Sequence, residues 1–401
     1  MIPLRVAVDA RLVPGNSGGV ETVVRGLAQG FAELDADDLE LTFVTYSGTG
    51  GWLDGQLSAK ATVREVPAPN WASVARNRMR LNAYRRRGGA LVLAPGRDVV
   101  MDRVPADVVH FPFQQSGFVS APFIYHPHDL QHRHMPEFFT PRQLTKRDMR
   151  YTTMCARAAV VAVGCSWVKD DVVTQFGVDP DRIHVVPLAP FVSEPTGMPD
   201  TQGLNLPARY MIYPAANWPH KNHGRLFKAL ARLRERGVTV PLLLTGSRSA
   251  GRVDLDALAA AAGAAGLVRH LGYLSPAQLQ VVTEGASAMI VPTLFEAESF
   301  PIWEAFRLGV PVACSNVTCI PRQVGDAALV FDPYDVEAIA SAVEVLWTQP
   351  HVSQDLARKG RERAAGLSWQ TTARHFLALY RLLAKRATEQ DLALLAAEPT
   401  L

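Results

Sequence analysis

Val291-Pro-Thr-Leu-Phe-Glu-Ala-Glu-Ser-Phe-Pro-Ile-Trp-Glu-Ala-Phe-Arg-Leu-Gly309 is the stretch whose reading decides the fold. Ala288-Met-Ile-Val-Pro292, which overlaps its start, is a short apolar run of the kind that lies inside a parallel sheet. Ser299 suits a helix N-cap, and Pro301 suits the first turn, where a missing N–H costs nothing. Gly309 suits the left-handed residue that ends such a helix. The stretch therefore reads strand, loop, helix. Glu296 falls in the loop, and Glu304 falls one turn inside the helix, eight positions later. Both carboxylates can face the space above the strand ends, which is where open α/β sheets bind ligands.

The chain alternates outward from this point. Tyr210–Pro214, Pro241–Thr245 and Val268–Leu271 read as strands, with helices from about His223, over Leu255–Ala265 and over Pro276–Glu284. That pattern predicts a doubly wound α/β domain. Asn217-Trp-Pro-His-Lys-Asn222 follows the first of these strands. Lys221, in a strand-to-helix turn, is either a surface lysine or a point charge for a diphosphate at a helix N-terminus. Arg248, in Leu244-Thr-Gly-Ser-Arg248, is a second candidate cation at the same edge.

The first half has the same rhythm. Leu4–Ala10, Leu39–Tyr46, Val108–Phe111, Phe123–His128, Val160–Cys165 and His184–Leu188 read as strands of another parallel sheet. The loop Arg11–Gly19 contains Gly15, Gly18 and Gly19 and opens a helix with apolar residues at Val20, Val23, Val24, Leu27, Phe31 and Leu34. It is either a flexible turn or a place where backbone N–H groups approach an anion, and Gly18-Gly19 alone does not separate the two. Ile124–His134 holds His126, His128, His132 and His134, but no cysteine or repeated carboxylate joins them, so metal is disfavoured. His128 beside Asp129 at a strand end better suits a polar contact to a hydroxylated ligand, or a proton handler. Arg76–Arg87 contains six arginines and is either a solvated helix face or a dock for anionic lipid or a phosphate-bearing acceptor.

Pro190–Pro207 is rich in Pro, Gly and polar residues and reads as a linker. The expected division is an N-terminal domain over 1–190, a linker over 191–207, a C-terminal domain over 208–367 and a last helical segment over 368–401. Helices are expected at about Val336–Trp347, Ser353–Ala365 and Ser368–Lys385. Trp369, Ala373, Phe376, Tyr380 and Leu383 form an apolar stripe, so the last of these helices packs on something.

Composition limits the class. The chain has 401 residues, 48% hydrophobic and 20% charged, which fits a globular protein of two domains. A net charge of +3 does not argue for nucleic acid. Cys155, Cys165, Cys314 and Cys319 lack metal-ligand spacing and read as reduced, buried thiols of a cytosolic protein. The N-terminus runs straight into a strand with no visible signal peptide. The longest apolar run, Ala257 to Val268, is too short to span a bilayer. A cytoplasmic setting follows, with room for contact at the inner face of a membrane.

Taken together, these pieces resemble the GT-B glycosyltransferases of the family called GT4, or group 1, over most of the chain. The most specific part is Glu296-x7-Glu304 with Gly309-x-Pro311-Val-x-x-Ser315 and Val324-Gly-Asp-Ala-Ala328…Phe331-Asp-Pro333. Gly18-Gly19-Val-Glu21, His128-Asp-Leu130, Pro219-His-Lys-Asn222 and Val163-Gly-Cys-Ser166…Ile183-His-Val-Val-Pro187 add to it. Trp218–Asn222 together with His128-Asp129 is most similar to bacterial mannosyltransferase-type members.

The resemblance implies two Rossmann-like, doubly wound domains facing across a cleft. The first would be acceptor-side and the second would bind a nucleotide sugar. It implies retaining transfer of a hexose to a glycan or lipid-linked acceptor in cell-surface polysaccharide or glycoconjugate assembly. GDP-mannose is the first donor and UDP-linked sugars the next, with neither metal nor other cofactor. Glu304 would bind the ribose hydroxyls and Glu296 the transferred sugar. Backbone amides from Ala297 to Phe300, Ser299 among them, would hold the sugar and diphosphate. Lys221 with Arg248 would offset charge on the departing diphosphate, Gly18 and Gly19 would close over the phosphates, and His128 would lie near the sugar or acceptor hydroxyl. The last helix would cross back onto the first domain.

Departures from the family pattern are Ala297 and Ser299 for the usual glycines, Glu298 where an aromatic is common, and Arg322 where glutamate is frequent. The arginine usual before the lysine is absent: Ala216 and Asn217 occupy that donor-side region, with Arg248 as the substitute. Two other readings keep the fold, namely a sugar-nucleotide epimerase and a non-catalytic partner that binds nucleotide sugar.

Overall fold

The computed structural model describes residues 2–15, 18–34, 36–68, 79, 96–191, 201–246 and 253–397. Arg248 lies outside them, as do residues 192–200 of the linker and the Arg76–Arg87 run apart from Met79. The chain divides into two compact units, Met1–Ala189 with Leu367–Leu401, and Pro190–Gly366. Both are α/β.

The first unit is built on a parallel sheet of seven strands: β1 (Leu4–Asp9), β2 (Leu39–Tyr46), β3 (Ala61–Val66), β4 (Val108–Phe111), β5 (Phe123–Tyr125), β6 (Val160–Val163) and β7 (Ile183–Val185). Their order is β3-β2-β1-β4-β5-β6-β7. Among the described residues the named helices are α1 (Gly19–Ala32), α2 (Val99–Asp102), α3 (Gln131–His134), α4 (Pro141–Arg157) and α5 (Ser166–Phe176). Central strands such as β4 and β6 are buried along their whole length; β6 reads as an unbroken apolar run, and β4 is interrupted only by the buried His110. The strand order reverses at β1, whose neighbours are β2 and β4. The loops after β1 and β4 therefore part at a topological switch point.

The second unit has six parallel strands: β8 (Met211–Pro214), β9 (Leu242–Thr245), β10 (Val268–His270), β11 (Ala288–Val291), β12 (Val312–Ser315) and β13 (Ala328–Phe331). Their order is β10-β9-β8-β11-β12-β13, so the switch point lies between β8 and β11, paired at Met289–Ile212. Its helices are α6 (His223–Glu235), α7 (Leu255–Ala261), α8 (Pro276–Glu284), α9 (Phe300–Leu308), α10 (Ile320–Val324), α11 (Val336–Thr348) and α12 (Pro350–Ala364).

The chain then closes with α13 (Trp369–Leu383) and α14 (Glu389–Ala396), which belong to the first unit. Trp369, Ala373, Phe376 and Tyr380 of the stripe are buried. They press on α1 where it is narrowest: a Cβ at Gly26 would come 1.9 Å from the Trp369 ring, and one at Gly30 would come 2.1 Å from the Trp369 carbonyl oxygen. Thr372 Oγ1 donates to the Pro187 carbonyl (2.6 Å), and Arg381 pairs with Asp38 (2.7 Å). Among the described residues, no helix is long and apolar enough to cross a membrane.

Candidate functional site

The second unit's switch point gathers the candidate charges. Lys221 closes the loop after β8, Glu296 stands in the loop after β11, and the two meet: Lys221 Nζ lies 2.5 Å from Glu296 Oε2, both side chains half-buried. The two loops are stitched together beneath the pair. Leu294 N–H donates to the His220 carbonyl (2.7 Å), and the Tyr213 hydroxyl donates to the Lys221 carbonyl (3.1 Å). Asn222, with φ of 60°, turns its amide inward and donates to the carbonyls of Pro292 (2.9 Å) and Pro333 (2.8 Å). Thr318 Oγ1 donates to the Glu296 carbonyl from the far side.

Glu304 is placed differently. It lies one turn into α9, half-buried, and its side chain has no hydrogen bond or ion pair to any described residue. Desolvation alone pushes its carboxyl up to about 7. A carboxylate held this way is short of donors and ready for a ligand that supplies them.

The helix start corrects one expectation. Ser299 is the N-cap residue and Gly309 takes the left-handed end at φ 70°, but the Ser299 side chain makes no cap bond. Gln323 instead holds the Ser299 backbone from α10. Its Oε1 accepts from Ser299 N–H (3.0 Å), and its Nε2 donates to the Ser299 carbonyl (2.7 Å). The Ser299 N–H is thus already engaged. Phe300 opens α9 half-buried. Glu298 accepts from the Trp303 indole N–H at 3.1 Å, which gives this extra carboxylate a local anchor near the positive end of the helix. Asn217 is buried, and its amide donates to the Val253 carbonyl (2.7 Å).

In the first unit, Gly18 caps α1 with φ 54° and ψ −138°, a conformation only glycine holds without strain, and Gly19 begins the helix. Both are exposed, and a Cβ at Gly15 or Gly18 would meet nothing. Glu21 accepts from Gly15 N–H (2.7 Å), and Arg11 bridges Asp9 (2.8 Å) and Asp98 (2.5 Å) at the loop's root.

Strand β5 ends at Tyr125, three residues short of the expected Phe123–His128, because the chain turns sharply through His126–His128, with His128 at φ 64°. The His128 and His126 rings stack at 4.0 Å. His128 Nε2 lies 2.8 Å from the Pro112 carbonyl, which can only accept, so that nitrogen is the donor and Nδ1 holds the lone pair. Burial lowers its basicity further. The other histidines go elsewhere: His134 to Asp171 (2.8 Å), His132 edge-on to Tyr151, and His126 into the interior with both ring nitrogens unpartnered. Among the described residues, no three His, Cys, Asp or Glu side chains converge as a metal site.

Asn222 and Gln323 are positioning residues that sequence reasoning missed. Their partners lie 24 to 111 positions away, beyond any local signal.

Comparison with known proteins adds to this. Residues 198–363 match the sequence model of the family described as glycosyl transferases group 1, and residues 17–189 match that of glycosyltransferase family 4. The O-antigen chain mannosyltransferase B of Escherichia coli is 33% identical over 175 residues, 43% of this chain and 46% of that protein. The MMP alpha-(1->4)-mannosyltransferase of Mycolicibacterium hassiacum is 29% identical over 215 residues, 52% of this chain and 51% of that protein. The chain thus spans about half the length of these relatives. Sucrose-phosphate synthase from Thermosynechococcus elongatus shares the fold, with a TM-score of 0.69 over 96% of this chain and 100% of that one, at 19% identity.

Proposed function

For a chain that belongs to the group 1, or GT4, glycosyltransferases of GT-B fold, we propose retaining transfer of a hexose from a nucleotide sugar to a hydroxyl of a glycan or lipid-linked acceptor. Mannose from GDP-mannose is the first donor, and cell-surface polysaccharide or glycoconjugate assembly is the setting. The observation that carries this reading is the contrast between two carboxylates: Glu296 is paired with Lys221, while Glu304, eight residues on, is half-buried with no hydrogen bond or ion pair to any described residue. In this reading Glu304 accepts both hydrogen bonds of the ribose diol, whose donors supply what burial has taken away.

Lys221 leaves Glu296 for the diphosphate and offsets the charge that grows as the anomeric C–O bond breaks. Glu296 then turns to the hydroxyls of the transferred sugar. The acceptor oxygen bonds to the anomeric carbon on the face the diphosphate leaves, so configuration is retained. Arg248, Asn217 and the backbone from Ala297 to Phe300 complete the donor side, with the Ser299 carbonyl and N–H fixed by Gln323. Gly18 and Gly19 offer backbone N–H groups to phosphate oxygens. His128, with its Nδ1 lone pair, orients a hydroxyl or receives its proton. The reading places the leaving-group charge on side chains and backbone rather than on a metal or cofactor. It places the chain in the cytoplasm, with the arginine run as a peripheral membrane contact.

A thermal-shift panel of GDP- and UDP-sugars, followed by product analysis with and without a glycan acceptor, tests it. A ligand at about 100 times its Kd stabilises a protein by about 2.7 kcal/mol, so the largest rise in melting temperature is expected with GDP-mannose. A new nucleotide sugar formed without acceptor would make the protein an epimerase instead. Binding with neither hydrolysis nor transfer would make it a non-catalytic partner.

A further inference from the structure

Helix α4 carries Arg142, Lys146, Arg147 and Arg150. Three of them, Arg142, Lys146 and Arg150, recur every fourth residue and so line one side of the helix, while Arg147 lies off that line. The two sides are treated differently. Arg147 donates to the Tyr151 hydroxyl (3.0 Å), lies 3.9 Å from Asp129 and covers the Phe139 ring at 4.9 Å. Asp148, the one acid in the helix, is taken by Arg133. The side chains of Arg142, Lys146 and Arg150 have no hydrogen bond or ion pair to any described residue, and Arg150 Nε is sealed from solvent without a partner.

Such a column is unfavourable by itself. Like charges four apart weaken a helix, and a buried cation without an acceptor is costly. Lys146 is exposed, yet partial desolvation, with Arg150, Arg142 and Arg147 nearby, holds its ammonium below its ordinary value. Arg150 is lowered too, by burial, against the pull of the Tyr125 and Tyr151 phenols. Tyr125 closes β5 at the carboxyl edge of the sheet, three residues before His128. The inner end of the stripe therefore adjoins the edge where α/β sheets take ligands.

We propose that Arg142, Lys146 and Arg150 bind a phosphate or diphosphate group carried by the acceptor. The planar fork of Arg150 suits two phosphate oxygens at once, Lys146 adds a point charge, and Arg142 extends the site toward solvent. Eight residues of helix rise roughly 12 Å, enough for a diphosphate and the first group beyond it. Only the word acceptor rests on the glycosyltransferase reading. The phosphate site stands on the helix itself.

The test is calorimetric titration of the full chain with inorganic phosphate and with farnesyl phosphate, with GDP present to occupy the nucleotide site. Lys146→Gln and Arg150→Gln are each expected to weaken phosphate binding at least tenfold, and Arg142→Gln two- to threefold. Arg358→Gln, which removes the same charge from α12, should leave it unchanged. Lys146 and Arg142 are exposed, so these two variants decide the matter even if Arg150→Gln fails to fold. Tenfold tighter binding of farnesyl phosphate than of phosphate supports a lipid-linked acceptor, and equal binding shows that the site reads the phosphate alone, as a soluble phosphate-bearing acceptor requires. Wild type that binds neither, or variants that bind as wild type does, overturn the proposal. GDP titrated alone separates the two claims: no GDP binding sinks the donor reading and leaves the phosphate result to decide the stripe.

Discussion

At the carboxyl edge of the second unit's sheet, Lys221 and Glu296 meet across the β8–β11 switch point, and Glu304, one turn into α9, has no hydrogen bond or ion pair to any described residue. At the same edge of the first unit, His110 is buried against Tyr380 (2.7 Å), His126 stacks on His128, and burial lowers the basicity of all three, His110 to about 3. The first edge gathers neutral rings after β4 and β5, holds Arg11 in a closed cluster with Asp9 and Asp98 at the end of β1, and carries further cations on α4. The second keeps its charges at the centre. A switch point thus supplies a place for chemistry, and the residues on its loops decide which chemistry. Charge poised for a diphosphate fits the second edge. Neutral rings that exchange hydrogen bonds with hydroxyls fit the first.

The largest way to break this comparison is Lys221→Ala. It removes the cation assigned to the leaving group and leaves Glu296 unpaired. The expected loss in kcat is about 10²–10³-fold, read in the transfer assay with melting temperature as the folding control. A loss under tenfold would remove Lys221 from the mechanism.

A smaller effect separates the units. Gly30→Ala drives a methyl toward the Trp369 carbonyl, and overpacking of this kind costs about 1–3 kcal/mol. The calorimetric melting point of the first unit should fall by several degrees, while nucleotide affinity, assigned to the second unit, stays constant. An unchanged melting point would contradict the packing of α13 on α1.

Much of this was legible in residue order. The strand before Glu296, the helix starting near Phe300 and the left-handed Gly309 follow from local rules, because each needs only neighbours within a few positions. The alternation of strands and helices was legible for the same reason.

Less legible was whatever is settled over distance. Ser299 makes no side-chain cap and its own backbone is held by Gln323 instead, while Asn222 gives its amide to carbonyls after β11 and β13. Strand β3 is an edge strand with exposed Arg64 and Glu65, so its composition looks like loop. The helix over Pro141–Arg157 is hard to see in residue order, although Thr140-Pro-Arg-Gln143 is a capping box. The polar character of that helix hides both it and its cationic side.

The most direct measurement is calorimetric titration of GDP-mannose into wild type and Glu304→Gln between pH 6 and pH 8. A buried carboxyl raised to about 7 makes the ligand-free fold lose stability as pH rises from the ordinary carboxylate value toward 7. Its ionised form is the one that accepts the ribose diol. Wild-type affinity should therefore climb as pH rises through about 7, and the variant should bind at least tenfold more weakly with no such climb. Equal affinity in the two proteins, with the same pH dependence, would contradict the assignment of Glu304 and with it the donor site.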